Sequence, residues 1–97
     1  MSYYFAKTIG FSFEEARTHV ENSLKEYGFG IVSEIDMDEK FKQKLNVEFR
    51  KYKILGACSP IHAYTAVKSE EHIGLMLPCN VVLQERDAHT TEVSVID

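Results

Sequence analysis

Apolar and polar positions change period several times along this chain, and each change marks an element. In YYFAKTIG, Tyr3, Phe5 and Ile9 alternate against Tyr4, Ala6 and Thr8, the period of two that suits a strand. From Phe13 the period lengthens. Phe13, Ala16, Val20, Leu24 and Tyr27 recur at three and four residues, while Glu14, Arg17, Glu21 and Lys25 face away, which predicts an amphipathic helix. Both its ends are marked: Ser12 and Glu15 have capping-box spacing, and Gly28 stands where a left-handed C-terminal residue is wanted. FGIVSEIDM alternates again, with Phe29, Ile31, Ser33 and Ile35 on one face and Gly30, Val32, Glu34 and Asp36 on the other, a strand with one wet side.

The middle of the chain continues this rhythm. MDEKFKQKLNVEF places Phe41 and Leu45 four apart on a charged background, with Asp36 or Asp38 as a cap, and predicts a short helix. YKILGACS is a strand that ends at Ser59-Pro60, where Ser supplies an N-cap and Pro the first helical position, so a helix should run from there to about Glu71. HIGLMLPCNVVLQER is the most apolar segment and predicts a strand from about Ile73. After the turn DAHT, TEVSVID pairs with it as a hairpin, Val93 and Val95 sharing one face.

The order β-α-β-(short α)-β-α-β-β predicts an α+β two-layer sandwich, a mostly antiparallel sheet with both longer helices on one face. The uncovered sheet face of so small a domain is a natural dimer surface. At 97 residues the chain suits one domain, and its 44% hydrophobic and 27% charged residues are globular usage. A net charge of -4 leaves no excess of Lys and Arg to displace counterions from phosphates, which argues against nucleic acid as a partner. The opening residues do not read as a secretory signal, and the longest apolar run, IGLMLP, is far short of the roughly 18–20 residues of a membrane span. A cytoplasmic protein with reduced thiols and no membrane partner is the expectation.

Chemistry rests on two cysteines, Cys58 in GACSP and Cys79 in LPCNV. Cys58 precedes the cap of a helix, where free amides and the positive end of the dipole favour a thiolate. Cys79 shares strand parity with Leu75, Leu77, Val81 and Leu83, a face suited to burying a small apolar thiol. If the two strands are parallel neighbours, counting from Tyr52 and Ile73 puts both sulfurs level in the sheet.

Three readings compete. Cys58 with Cys79 could form a redox or sulfur-handling pair, assisted by His62. Cys58, Cys79 and His62, with His72 as a fourth ligand, could hold zinc or copper(I), the one cofactor the residues allow. The third reading is a non-catalytic homodimeric module binding a small ligand or a protein, since no nucleophile, base and orienting group can be assembled. A cleft joining Cys58, Ser59, His62, Cys79 and Asn80 would serve it, with helix-start amides for an anion. The acidic pairs Glu14-Glu15 and Glu70-Glu71 read as solvated faces, and the lysines between Lys40 and Lys53 as a wet surface.

RKYKILGACSPIHAYTAV and IGLMLPCNVVLQE together resemble the signature of a bacterial and archaeal family, domain of unknown function 302. The resemblance spans nearly the whole chain. Ser59 replaces the Asn usual there, an exchange between two good N-caps, and Met76 replaces a Leu of similar volume. The resemblance implies a TATA-binding-protein-like or related two-layer fold and homodimers, and it implies no activity.

Overall fold

The computed structural model describes residues 2–97. Strand β1 (Tyr4–Ile9) leads to helix α1 (Phe13–Glu26), then β2 (Gly30–Asp36), α2 (Met37–Leu45), β3 (Tyr52–Cys58) and α3 (Pro60–Ser69). A 3₁₀ helix (Glu71–Met76) follows, and the hairpin β4 (Cys79–Asp87) and β5 (Thr90–Ile96) closes the chain. The class is the α+β, two-layer arrangement read from the pattern. The sheet runs β1-β5-β4-β3-β2, and every neighbouring pair is antiparallel. β1 and β2 are therefore the two edges, and α1 crosses the sheet between them.

α1 forms where expected because both its ends are satisfied locally. Ser12 Oγ accepts the Glu15 amide and the Glu15 carboxylate accepts the Ser12 amide, completing the capping box. At the other end the Phe29 amide reaches Leu24 O at 2.9 Å while Gly28 takes φ +82, a conformation that suits glycine. The buried face of α1 is Phe13, Ala16 and Val20, of which Phe13 and Val20 cluster with Leu55 and Ala57 of β3 and Val81 and Leu83 of β4. Each large side chain fully removed from water there is worth roughly 1.5–3 kcal/mol. Thr91, also buried, donates its hydroxyl to Phe11 O and ties β5 to the start of α1.

Three expectations are corrected. β3 and β4 are neighbours but antiparallel, so the level estimate for the cysteines gives way to the register in which Ala57 faces Cys79. A crossover between parallel strands needs the chain to return to its starting end; here the segment between Cys58 and Cys79 leaves and re-enters at the same end. Strand β4 also begins at Cys79 rather than Ile73. Pro78 has no amide for the ladder, and the preceding turn is 3₁₀, started by the Glu70 carboxylate accepting the His72 amide. In β2 a bulge between Ile31 and Ser33 reverses the alternation: Ile35 faces Ile54, whereas Glu34 faces Leu55 on the helix side.

α1 covers one sheet face, and α2 packs beside β3. α3 packs chiefly on the 3₁₀ helix, and neither of those two helices has a buried residue. Together they form an arm at the end of the β3–β4 pair. The arm stretches the molecule to 43 × 31 × 29 Å and its radius of gyration to 14.8 Å, above the roughly 13 Å usual for about a hundred residues.

Candidate functional site

Four places can be compared: the thiol-bearing end of the sheet, the open sheet face, the groove beside α1, and a charged cleft between α1 and α2.

At the first, Ser59 occupies the N-cap position and Pro60 the first helical turn, as the sequence indicates. The Ser59 hydroxyl does not cap. It is buried and lies 2.9 Å from His62 Nδ1, while Ser59 O accepts the Ala63 amide. His62 is thereby drawn to Ser59. Cys58 is half-buried and Cys79 exposed, both as free thiols. Because Cys79 faces Ala57, Cys58 is one ladder step away, and alternation sends neighbouring side chains to opposite faces. The apolar burial expected of Cys79 is absent: Val81 and Leu83 lie under α1, but Cys79 is beyond its reach. Among the described residues no group of three or more His, Cys, Asp or Glu is close enough to hold a metal, so Cys58, Cys79 and His62 do not converge as a ligand set.

Asn80 faces Gly56 across β3–β4, on the sheet face away from α1. A Cβ on Gly56 would lie 2.1 Å from Ser33 Oγ and 2.6 Å from Pro78 Cγ, so glycine is what allows Pro78 to lie over the strand. Beside it a shallow concavity of about 680 Å³ covers the open face, reaching Tyr4, Tyr52, Met76, Cys79, Asn80 and Ser94. It does not reach Cys58, Ser59 or His62. Its two arginines are engaged: Arg50 donates to Gln84 Oε1 from Nε and Nη2 at 3.0 and 2.7 Å, and Arg86 pairs with Glu92.

On the other face, a groove of about 450 Å³ runs between α1 and the β1–β5 edge. Phe5, Ile9, Val20, Leu24, Val93 and Val95 line it with apolar side chains, and Lys7, His19 and Tyr27 are its charged or titratable members.

The charged cleft is organised by Glu34, which the β2 bulge turns toward α1. Its carboxylate accepts from Arg17 Nη2 and Lys53 Nζ, each at 2.7 Å. The Arg17 hydrogen bond, then that of Lys53, holds the Glu34 carboxyl down at about 2. Burial pulls the Lys53 ammonium downward, yet its bonds and charges from Glu34 and Asp36 outweigh this and raise it. Lys51 pairs with Glu14 at 2.8 Å in the same cleft, and Lys51 and Lys53 both approach the Phe13 ring. Each of these carboxylates already has a cation, so the cluster reads as a clamp between α1 and the β2–β3 edge.

The sequence model of the family described as Domain of unknown function DUF302 matches residues 5–97. The chain belongs to the DUF302 family. A crystal structure of an uncharacterized conserved DUF302 protein from Bacillus stearothermophilus is similar at 25% identity, with a TM-score of 0.85 over 99% of this chain and 74% of that one. No curated protein matches the sequence at a significant level. In this DUF302 chain the signature segments ILGACSP and IGLMLPCNV form the root and the return of the arm. Sequence reasoning missed both the groove beside α1 and the Glu34 clamp. The clamp depends on the bulge at Val32, which the regular alternation of FGIVSEIDM does not announce. The groove borders the β1–β5 edge that α1 leaves uncovered. Among the described residues no helix is long and apolar enough to cross a membrane.

Proposed function

We infer that this DUF302 chain is a non-catalytic, homodimeric binding or assembly module. The arm carries the reading. Over α3 and the 3₁₀ helix no residue is buried, yet Ile61 is 78% exposed, Tyr64 67%, Leu75 87% and Met76 75%. Large apolar side chains exposed in this number on an arm held away from its own core are the mark of an interaction site. The separation of Cys58 from Cys79 by strand alternation favours this over the redox and zinc or copper readings. An obligate partner of the same sequence would bury the arm symmetrically and leave the open-face concavity for a small ligand or a protein.

Sedimentation equilibrium over about 1–100 µM tests the assembly. The expected mass is that of two chains across the upper part of that range. A single-chain mass throughout overturns the reading.

A further inference from the structure

α1 covers the centre of its sheet face and leaves a groove along the β1–β5 edge, while α3, a ten-residue helix with exposed apolar side chains, is held away on the arm. We propose that, in the dimer inferred above, α3 of each copy lies in the groove beside α1 of the other, so that every sheet face is covered by one helix of its own and one exchanged helix. The proposal rests on the dimeric reading and specifies which surfaces meet.

The dimensions agree. α3 has ten residues, about 15 Å of helix at 1.5 Å per residue. The groove follows β1 from Phe5 to Ile9, about 13 Å at the rise of a strand. Ile61, Tyr64 and Val67 stand three apart, one stripe on the helix surface, and all are exposed. Phe5, at 62% exposure, and Val95 offer the groove a matching apolar floor. The groove is open to solvent along one side, which suits a helix laid in from above; a small ligand needs enclosure of most of its surface.

Charge agrees as well. Lys7 and His19 line the groove and no carboxylate does, whereas at the C-terminal end of α3 Glu70 and Glu71 outnumber the single cation Lys68. The symmetry closes. The arm leaves the sheet beside the Ala57–Cys79 pair, and the groove opens at the same end, where Val95 lies between Phe5 and Val81. Donor and acceptor surfaces thus share one end of the molecule, so a two-fold axis there lets each copy give one helix and receive one, with no unfilled surface to continue a polymer.

Ile61→Lys and Phe5→Glu, both at exposed positions, test the arrangement by sedimentation of each variant alone and of an equal mixture. Each alone is expected to dissociate at least about tenfold more readily than the unmodified chain. The mixture is expected to recover dimer, because it pairs one unaltered arm with one unaltered groove and sets the introduced ammonium of one chain against the introduced carboxylate of the other. If Ile61→Lys dissociates and Phe5→Glu remains as tight as the unmodified chain, the arms meet each other and the exchange is wrong while the dimer stands. If both remain tight, the interface lies elsewhere and the exchange is again overturned. An unmodified chain that is monomeric at about 100 µM removes both readings. Far-UV circular dichroism checks folding of each variant, and Val67→Lys with Ser23→Glu, on the α1 wall of the groove, replaces any that fails it.

Discussion

α1 and α3 both carry apolar side chains at helical spacing, and those side chains meet opposite fates. On α1, Phe13, Ala16 and Val20 are buried against the central strands, and the helix is fixed at both ends by a capping box and a glycine turn. On α3, Ile61, Tyr64 and Val67 are exposed, and the Ser59 hydroxyl that could cap the helix is turned to His62. The contrast separates two kinds of information. A period of 3.6 shows that a helix has an apolar side, whereas the surface that covers that side depends on where the chain enters and leaves the sheet. α1 joins the two edge strands and has to cross the sheet; α3 joins two adjacent antiparallel strands at one end and has no need to cross anything.

Substitutions can break the comparison or sharpen it. The largest effect belongs to the α1 side: Leu83→Ala, at a site with no exposure, should lower unfolding free energy by about 2–5 kcal/mol in urea. At the root of the arm, Gly56→Ala should destabilise by about 1–3 kcal/mol, because Ser33 and Pro78 have to move to admit a methyl group. A neutral result there would mean that the arm's return is loosely seated.

The clamp that holds α1 to the β2–β3 edge should show in acid. Glu34 falls from an ordinary 4.5 to about 2 in the folded chain. Its contribution is therefore present above about 4.5 and is lost as pH falls from 4.5 through 2. Reduced for solvent screening of a partly exposed group, it is on the order of 1 kcal/mol. Glu34→Gln should cost that amount at pH 6 and approach the unmodified chain only as pH falls to about 2, read by chemical unfolding at each pH. The smallest effect belongs to the arm. Leu75→Ala should change stability by less than about 0.5 kcal/mol in dilute, monomeric protein. A larger loss there would show that the arm has core contacts of its own.

Much of the fold was legible in local patterns. Ser12, Glu15 and Gly28 set the limits of α1, Phe41 and Leu45 marked α2, and Ser59-Pro60 marked the start of α3. What local pattern could not supply was direction. The apolar run IGLMLP reads equally as strand or buried helix by composition, and in the fold most of it is a 3₁₀ turn before Pro78. Parity failed at Val32 for a related reason, since one added residue in β2 exchanges the faces of everything after it. The candidate site suffered most. Spacing set His62 toward Cys58 from the first helical turn, where its ring instead meets Ser59, and the relation of Cys58 to Cys79 needed strand register, which only the assembled sheet provides.

The edge pairing of β1 with β5 brings residues near position 4 against residues near position 96. On a ribosome β1 emerges well before β5, the strand it pairs with, and has to wait for it. Until then Tyr4, Phe5 and the unpaired amides of β1 face solvent or whatever else is nearby, a state that chaperones exist to shelter. Such distant closure also raises mean contact separation and slows folding relative to a helical protein of equal size. A circular permutant joining the two ends and opening elsewhere would turn this slow encounter into a local hairpin.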